Sequence, residues 1–139
     1  MFILNSKLKA DSFFVADLKI SQLLLMNNVN FPWLILVPKK PDLVELTDLK
    51  FDEQVEVLRE INLISQLLQK KFQPLKLNIA TLGNIVRQLH IHIIARFEND
   101  AAFPNPVWGQ NAKAYKIQDA EILIKELQIL LKNESKYFT

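Results

Sequence analysis

The chain has 139 residues, half of them hydrophobic, and this length and composition suit one domain, residues 1–139, with a substantial apolar core. Seventeen Lys and Arg face 15 Asp and Glu, and no run of five like charges occurs, which argues against a nucleic-acid partner. The absence of cysteine excludes a disulfide framework, a thiolate nucleophile and a cysteine-based zinc site, and is compatible with a cytoplasmic location. No apolar run is long enough to cross a bilayer, so we expect no membrane partner.

Three short apolar segments near the amino terminus predict β-strands. Residues 13–18 and 22–26 are joined by a polar stretch, and this pattern is typical of a hairpin. Residues 33–37 form a third apolar run with a proline on either side, which predicts a third strand.

The rest of the chain predicts two helices and two more strands. Residues 48–72 have apolar positions at helical spacing and predict a long amphipathic helix, which Pro74 ends because proline cannot continue a helix. Residues 75–80 and 88–97 predict strands around a turn, and residues 118–132 show a second helical pattern. Together these elements predict an α+β fold: a mainly antiparallel sheet of about five strands, with one long helix packed on it and a carboxy-terminal helix.

Both histidines of the chain, His90 and His92, lie in the predicted strand 88–97. Side chains alternate between the two faces of a strand. One face therefore carries Gln88, His90, His92, Ile94 and Arg96, and the other carries Leu89, Ile91, Ile93 and Ala95. We expect the apolar face to be buried and the histidine face to carry chemistry.

Three interpretations of the histidine pair follow from the residues themselves. In the first, the histidines are polar residues on the solvated face of an ordinary strand. In the second, they bind zinc or copper, with Asp17, Glu98 or Asp100 as further ligands. In the third, a neutral imidazole attacks phosphorus and forms a covalent intermediate. Gly83, one of two glycines, lies in the preceding turn, where the missing side chain lets backbone N–H groups approach an anion, which favours a phosphate pocket.

The segment Gln88-Leu89-His90-Ile91-His92-Ile93-Ile94 resembles the signature of the histidine triad family, in which three histidines alternate with apolar residues on one strand. Gln88 occupies the first histidine position. A variant branch with Gln-apolar-His-apolar-His, described as diadenosine tetraphosphate hydrolase-like, is more similar than the three-histidine branches. The resemblance extends upstream through residues 27–40 and 77–84, and downstream through residues 99–109.

The resemblance implies a role for each matching residue. His90 corresponds to the central histidine, the nucleophile that attacks the α-phosphorus of a nucleotide. His92 corresponds to the third histidine, which contacts a phosphate oxygen, and Gln88 supplies an amide that forms hydrogen bonds but does not titrate. The other matching positions bind substrate: Asn78, Gly83 and Asn84 near the phosphates, and Asn27 at the ribose. The acid that protonates the leaving group stays unassigned, with His92 and the substrate's own leaving group as the two candidates.

The resemblance also implies an activity. We expect hydrolysis or transfer at the α-phosphate of dinucleoside polyphosphates or adenylylated small molecules, through a nucleotidyl-histidine intermediate. No cofactor is required, although Mg²⁺ can accompany a polyphosphate substrate. Because the first histidine is missing, a nucleotide-binding module with little or no catalysis is the alternative. Triad proteins generally pair as two-fold dimers, so the resemblance implies a homodimer with contacts from the predicted helix 48–72 and strand 75–80.

Other side chains have two interpretations each. Trp108, in a loop between prolines, is either a lid over the site or a dimer contact. Arg96, at the end of the histidine strand, contacts either phosphate or a surface carboxylate. Large apolar residues either line a cleft for the base or belong to the core, and the candidates are Phe13, Leu25, Phe31 and Trp33.

Overall fold

One five-stranded antiparallel sheet forms the centre of the fold in the computed structural model, which describes residues 1–134. Its strands are β1 (Ser12–Asp17), β2 (Ser21–Met26), β3 (Trp33–Pro38), β4 (Lys76–Ala80) and β5 (Ile91–Arg96), in the spatial order β1-β2-β3-β5-β4. The helices are α1 (Ser6–Asp11), α2 (Phe51–Phe72) and α3 (Ile117–Lys132). The predicted α+β fold is confirmed, and so is the hairpin of β1 and β2. Residues 135–139 of the predicted domain lie outside the described range.

The pairing register places the histidine side of β5 on a covered face of the sheet. His92 pairs with Ile35 of β3 and with Ala80 of β4, so these side chains share one face. This face packs against α1 and the loop after β5 through a cluster of buried side chains: Leu8, Leu24, Phe31, Trp33, Ile35, Val37, Ile94, Ala102 and Val107. All six residues of β5 are buried. The alternation of faces is therefore as predicted, and the first interpretation of the histidines, as residues of a solvated face, is wrong because this face is covered.

The opposite face of the sheet packs against α2 and α3 and forms the larger core. Val57, Ile64 and Leu68 recur at helical spacing on α2 and contact a cluster that includes Ile91 and Ile93 of β5. Full burial of one such side chain contributes roughly 1.5–3 kcal/mol, so α2 is held mainly by this apolar stripe. Within residues 1–134, no helix is long and apolar enough to cross a membrane.

One carboxyl group lies inside this core. Glu60 of α2 is 1% exposed, and its Oε2 accepts a hydrogen bond from the Ile20 N–H at 3.0 Å, which ties α2 to the turn between β1 and β2. Its Oε1 has no partner among the described residues. Burial raises the pKa of Glu60, and the Ile20 hydrogen bond opposes that shift. This carboxyl is therefore more readily protonated than one in water.

The long helix starts later than predicted. Asp48 accepts hydrogen bonds from the Val44 and Glu45 N–H groups within a short 3₁₀ turn, Leu46–Asp48. An aspartate that bonds to backbone in this way favours a turn over a continuous helix. The regular helix α2 therefore begins only at Phe51.

The histidine strand also starts later than predicted, and a helix that the sequence pattern does not predict precedes the sheet. The Leu89 N–H donates to the Leu43 carbonyl, so regular strand pairing begins only at Ile91. Helix α1 has six residues, which is too short for an apolar period. It is stabilised at its start, where the Asn5 side chain accepts hydrogen bonds from two N–H groups of the first turn.

Candidate active site

A cleft of about 360 Å³ opens beside the two histidines. Helix α1 and the loops before and after β5 contribute to its walls, and most of its lining is apolar: Leu8, Met26, Trp33, Ile35, Leu82, Ile85, Val86 and Trp108. A polar depression of about 220 Å³ adjoins it, and Glu45, Thr81 and Arg87 lie in that depression. Gly83, Asn84 and His90 border both spaces, so His90 stands where an apolar and a polar compartment meet.

The backbone at the start of the histidine strand fixes the tautomer of His90. This side chain is 4% exposed, and its Nδ1 lies 2.7 Å from the Gln88 carbonyl oxygen. A carbonyl oxygen only accepts hydrogen bonds, so Nδ1 carries the proton and donates it. In the neutral ring Nε2 then keeps its lone pair, which a nitrogen nucleophile requires. The arrangement makes His90 competent to attack phosphorus.

Both ring nitrogens of His92 are bonded within the protein. The Trp33 indole N–H donates to Nδ1 at 3.0 Å, and Nε2 lies 3.1 Å from the Leu82 carbonyl oxygen. The ring is therefore the neutral tautomer with the proton on Nε2. Burial lowers the pKa of His92 to about 4; the nearby His90 adds to this shift and the Leu82 carbonyl opposes it. At neutral pH this imidazole is uncharged, and neither nitrogen is free for a phosphate oxygen.

The loop before β5 places backbone N–H groups that donate no hydrogen bond next to the site. A Cβ on Gly83 would lie 2.7 Å from the Val86 carbonyl oxygen and 3.4 Å from Cε1 of His90, so the chain passes too closely here for any other residue. Within residues 1–134, the N–H groups of residues 83–87 donate no hydrogen bond. Such groups, next to a nucleophile, are suited to bind an anion.

The predicted site residues are only partly brought together. His90, His92, Gly83 and Asn84 all line the cleft. Three others bond elsewhere: the Gln88 amide bonds to the backbone of Ile3 and Asn5, the Asn27 Oδ1 accepts from the Tyr115 N–H, and the Asn78 Oδ1 accepts from the Arg96 guanidinium. The structure therefore does not bring Asn27 and Asn78 to the cleft, whereas Gln88 lines the polar depression while its amide bonds to the amino-terminal segment.

Arg96 corrects both of its predicted interpretations, because it is neither at the cleft nor on the surface. It is 2% exposed and forms an ion pair with Asp100, with nitrogen–oxygen distances of 2.8 and 3.1 Å. Burial would raise the pKa of Asp100, but hydrogen bonds from Arg96 and from the backbone of residues 97, 102 and 103 hold it well below its usual range. Both oxygens of the Asp100 carboxylate are thus already bonded to Arg96. Among residues 1–134, no group of three His, Asp or Glu side chains is arranged to hold a metal ion.

Two tryptophans and the first helix complete the cleft. Trp33 lines it as one of the predicted candidates, and the centroid of the Trp108 ring lies 5.2 Å from that of His92. Phe13, Leu25 and Phe31 pack in the two cores instead. Lys7 and Asp11 of α1 also line the cleft, and sequence reasoning did not identify them. The one signal for this helix is an asparagine at its capping position.

Comparisons with known proteins agree with this geometry. The HIT domain model matches residues 7–99. The chain is similar to a histidine triad protein of Bradyrhizobium japonicum, at 43% identity over 91% of this chain and 96% of that one, with a TM-score of 0.88. It is also similar to a histidine triad protein of Sinorhizobium meliloti 1021, at 38% identity over 91% of this chain and 95% of that one, with a TM-score of 0.89. A histidine triad protein of Marinobacter aquaeolei VT8 is similar at 36% identity over 96% of this chain and 98% of that one, with a TM-score of 0.92. No curated protein matches the chain. On the family model and these relatives, the chain belongs to the histidine triad, or HIT, domain family.

Proposed function

We propose that this protein cleaves nucleotides at the α-phosphate, with His90 as the nucleophile. The substrates are dinucleoside polyphosphates, such as diadenosine tetraphosphate, or small molecules that carry an adenylyl group. The observation that supports this best is the 2.7 Å contact between His90 Nδ1 and the Gln88 carbonyl, since it leaves Nε2 as the nucleophilic nitrogen beside an anion-binding loop.

The two compartments beside His90 suit the two halves of such a substrate. A base and its ribose fit the apolar cleft, where the Trp33 and Trp108 rings offer aromatic surface. The polar depression suits the leaving group, because Arg87 lies there with no bonded partner among the described residues. The α-phosphate then lies between them, against the N–H groups of residues 83–87.

The reaction proceeds by two displacements at phosphorus. In the first, the Nε2 lone pair of His90 forms a bond to the α-phosphorus, and the bond from phosphorus to the leaving group breaks with its electron pair. Backbone N–H groups of residues 83–87 stabilise the charge on the phosphoryl oxygens. In the second, the oxygen of a water molecule forms a bond to the same phosphorus, and the bond from Nε2 to phosphorus breaks and returns its electron pair to Nε2. The water proton goes to solvent, and nucleoside monophosphate leaves.

His92 takes a supporting part in this scheme. With a pKa of about 4 it stays neutral, so it does not act as an imidazolium acid at neutral pH. A polyphosphate leaves as a stable anion and needs no such acid, and Mg²⁺ can accompany it, whereas the nitrogen of a phosphoramidate leaves as an amine and takes its proton from water. No resident cofactor is part of the proposal.

The test is product analysis with diadenosine tetraphosphate and an adenosine phosphoramidate. We expect the unaltered protein to release nucleoside monophosphate, and His90→Ala to lose several powers of ten in kcat because the nucleophile is gone. Acid quenching during turnover of a labelled substrate should leave the label on His90 as a phosphoramidate. Label on His92, or no nucleoside monophosphate from either compound, contradicts the proposal.

A nucleotide-binding module without catalysis is the second candidate. It is favoured by the position of Gln88, whose amide bonds to Ile3 and Asn5 and leaves the first motif position without a titratable group at phosphorus. It predicts that AMP binds, that His90→Ala leaves binding largely intact, and that turnover stays at background in both proteins. Calorimetry together with product analysis separates the two candidates.

We also propose a homodimer that uses α2 and β4. Strand β4 lies at an edge of the sheet, and Ile79 on it is 49% exposed, while Leu58 of α2 is 55% exposed. An edge strand with exposed apolar side chains is suited to pairing. Light scattering at micromolar concentration should give twice the chain mass, and Ile79→Asp should reduce it. Phe14→Asp, on the other edge strand, is the matched control. A monomeric mass for the unaltered protein contradicts the proposal.

A further inference from the structure

The Gln88 amide fastens the amino-terminal segment to the start of the histidine strand. Its Oε1 accepts from the Asn5 N–H at 2.8 Å, and its Nε2 donates to the Ile3 carbonyl at 2.9 Å. One side chain thus satisfies a donor and an acceptor two residues apart, as a neighbouring strand would. These contacts bridge 83 and 85 positions in the sequence, so they fix the tertiary position of residues 3–5.

The residue held by Gln88 in turn organises the first helix. The Asn5 side chain accepts hydrogen bonds from the Lys7 N–H at 2.9 Å and the Leu8 N–H at 3.4 Å, and so caps α1. The backbone of Asn5 meets Gln88 while its side chain starts the helix. The placement of α1 is therefore coupled to Gln88 through one residue.

Helix α1 is a wall of the cleft that also contains His90. Lys7, Leu8 and Asp11 line the cleft, and Leu8 is 4% exposed where it packs on the sheet. Lys7 and Asp11 form an exposed ion pair at 2.9 Å on this wall. A displacement of α1 would open the apolar compartment opposite the loop of residues 83–87.

We infer that Gln88 is a positioning residue: it borders the polar depression, but both ends of its amide bond to the amino-terminal segment and hold α1 as the wall of the nucleotide compartment. The inference rests on the proposed function for the identity of the ligand. It also gives a reason for glutamine at this position. A carboxamide has its donor and acceptor on one carbon and can bond to two groups of the same segment, whereas the two nitrogens of imidazole point in different directions.

The experiment compares Gln88→Leu, Gln88→His and Asn5→Ala with the full-length unaltered protein. Gln118→Leu is the matched control, since Gln118 is exposed on α3 and its side chain forms no hydrogen bond with a described residue. Hydrogen exchange by mass spectrometry, without nucleotide, reports on the amides of residues 5–9. Loss of two hydrogen bonds should speed their exchange by about tenfold or more in both Gln88 variants. In Asn5→Ala, only the capped turn should exchange faster. Calorimetric titration with AMP should show at least about fivefold weaker binding in all three, and no change in Gln118→Leu.

The outcomes test three statements separately: that Gln88 holds the amino-terminal segment (the anchor), that α1 forms a wall of the cleft (the wall), and that the protein binds nucleotides (the proposed function). Unchanged exchange of residues 5–9 in both Gln88 variants overturns the anchor. Faster exchange with unchanged AMP affinity overturns the role of α1 as a wall. Retained protection and affinity in Gln88→His overturn the preference for an amide. Absence of AMP binding by the unaltered protein overturns the proposed function and the wall together, while the exchange result still decides the anchor.

Discussion

Lowering the pH from 7 to 4 should destabilise the protein through one buried imidazole, that of His92. Its Nε2–H faces the Leu82 carbonyl and its Nδ1 accepts from the Trp33 indole, so a second proton must displace the Trp33 hydrogen bond. Burial lowers the pKa of His92 from 6.5 to about 4, so between these values the unfolded chain binds more protons than the folded protein. The contribution of His92 to stability therefore falls as the pH falls through this range. At 1.36 kcal/mol per pKa unit, the full loss is roughly 3 kcal/mol.

The presence of only two histidines makes the assay direct. In proton NMR spectra each imidazole gives one Cε1–H signal, and His92→Asn identifies its signal by removing it. We expect the His92 signal to keep the position of a neutral ring down to about pH 5. In urea unfolding between pH 4 and pH 7, stability should rise less steeply with pH in His92→Asn than in the unaltered protein.

The indole hydrogen bond provides an independent check. Trp33→Phe keeps an aromatic ring but removes the donor to Nδ1, which the neutral form of His92 needs. The pKa of His92 should then rise toward its ordinary value, and the unsatisfied nitrogen should cost about 1–3 kcal/mol of stability in addition to lost packing. A His92 signal that titrates near 6.5 in the unaltered protein, or an unchanged titration in Trp33→Phe, would refute this account of the site.

Three further predictions concern buried or crowded positions. Because burial raises the pKa of Glu60, the contribution of this carboxyl to stability should fall as the pH rises above 4.5, opposite in sign to that of His92, so Glu60→Gln should steepen the rise of stability with pH in urea unfolding; an identical slope would contradict it. Asp100→Asn should cost about 3–5 kcal/mol, since it leaves the buried Arg96 without its counter-charge; a cost below about 1 kcal/mol would be inconsistent with the ion pair. Gly83→Ala should lower turnover by displacing the loop, and turnover equal to that of the unaltered protein would count against the loop's role.

Elements with a regular apolar period could be predicted from the sequence. Strands β2 and β3 are apolar runs of ordinary strand length, and α2 repeats its apolar positions at helical spacing, so local patterns define them. Helix α1 has only six residues and depends on a cap and on contacts with the sheet, and neither produces a period. The alternation along β5 predicts which residues share a face, but it does not show that a helix and a loop cover that face.

Interactions of the site between residues close in the sequence could be predicted, whereas interactions between residues far apart in the sequence could not. The tautomer of His90 is set by a carbonyl two residues away, and the motif contains both groups. The bond from Trp33 to His92 joins positions 59 apart, and it depends on the register of β3 against β5, which no local pattern fixes. Arg96 and Asp100 are four residues apart, so their pairing is visible in the sequence, but their burial is not.

Trp33 and Trp108 are the only tryptophans of the chain, and both line the cleft. Their ring centroids are 5.9 Å apart in an edge-to-face arrangement, and both rings approach His92. Indole emission responds to the surroundings of the ring, so the intrinsic tryptophan fluorescence of this protein originates entirely at the candidate site. A purine that stacks against either indole would change that emission directly. The intrinsic tryptophan fluorescence thus reports whether a ligand is bound in the cleft, and binding can be followed without a label.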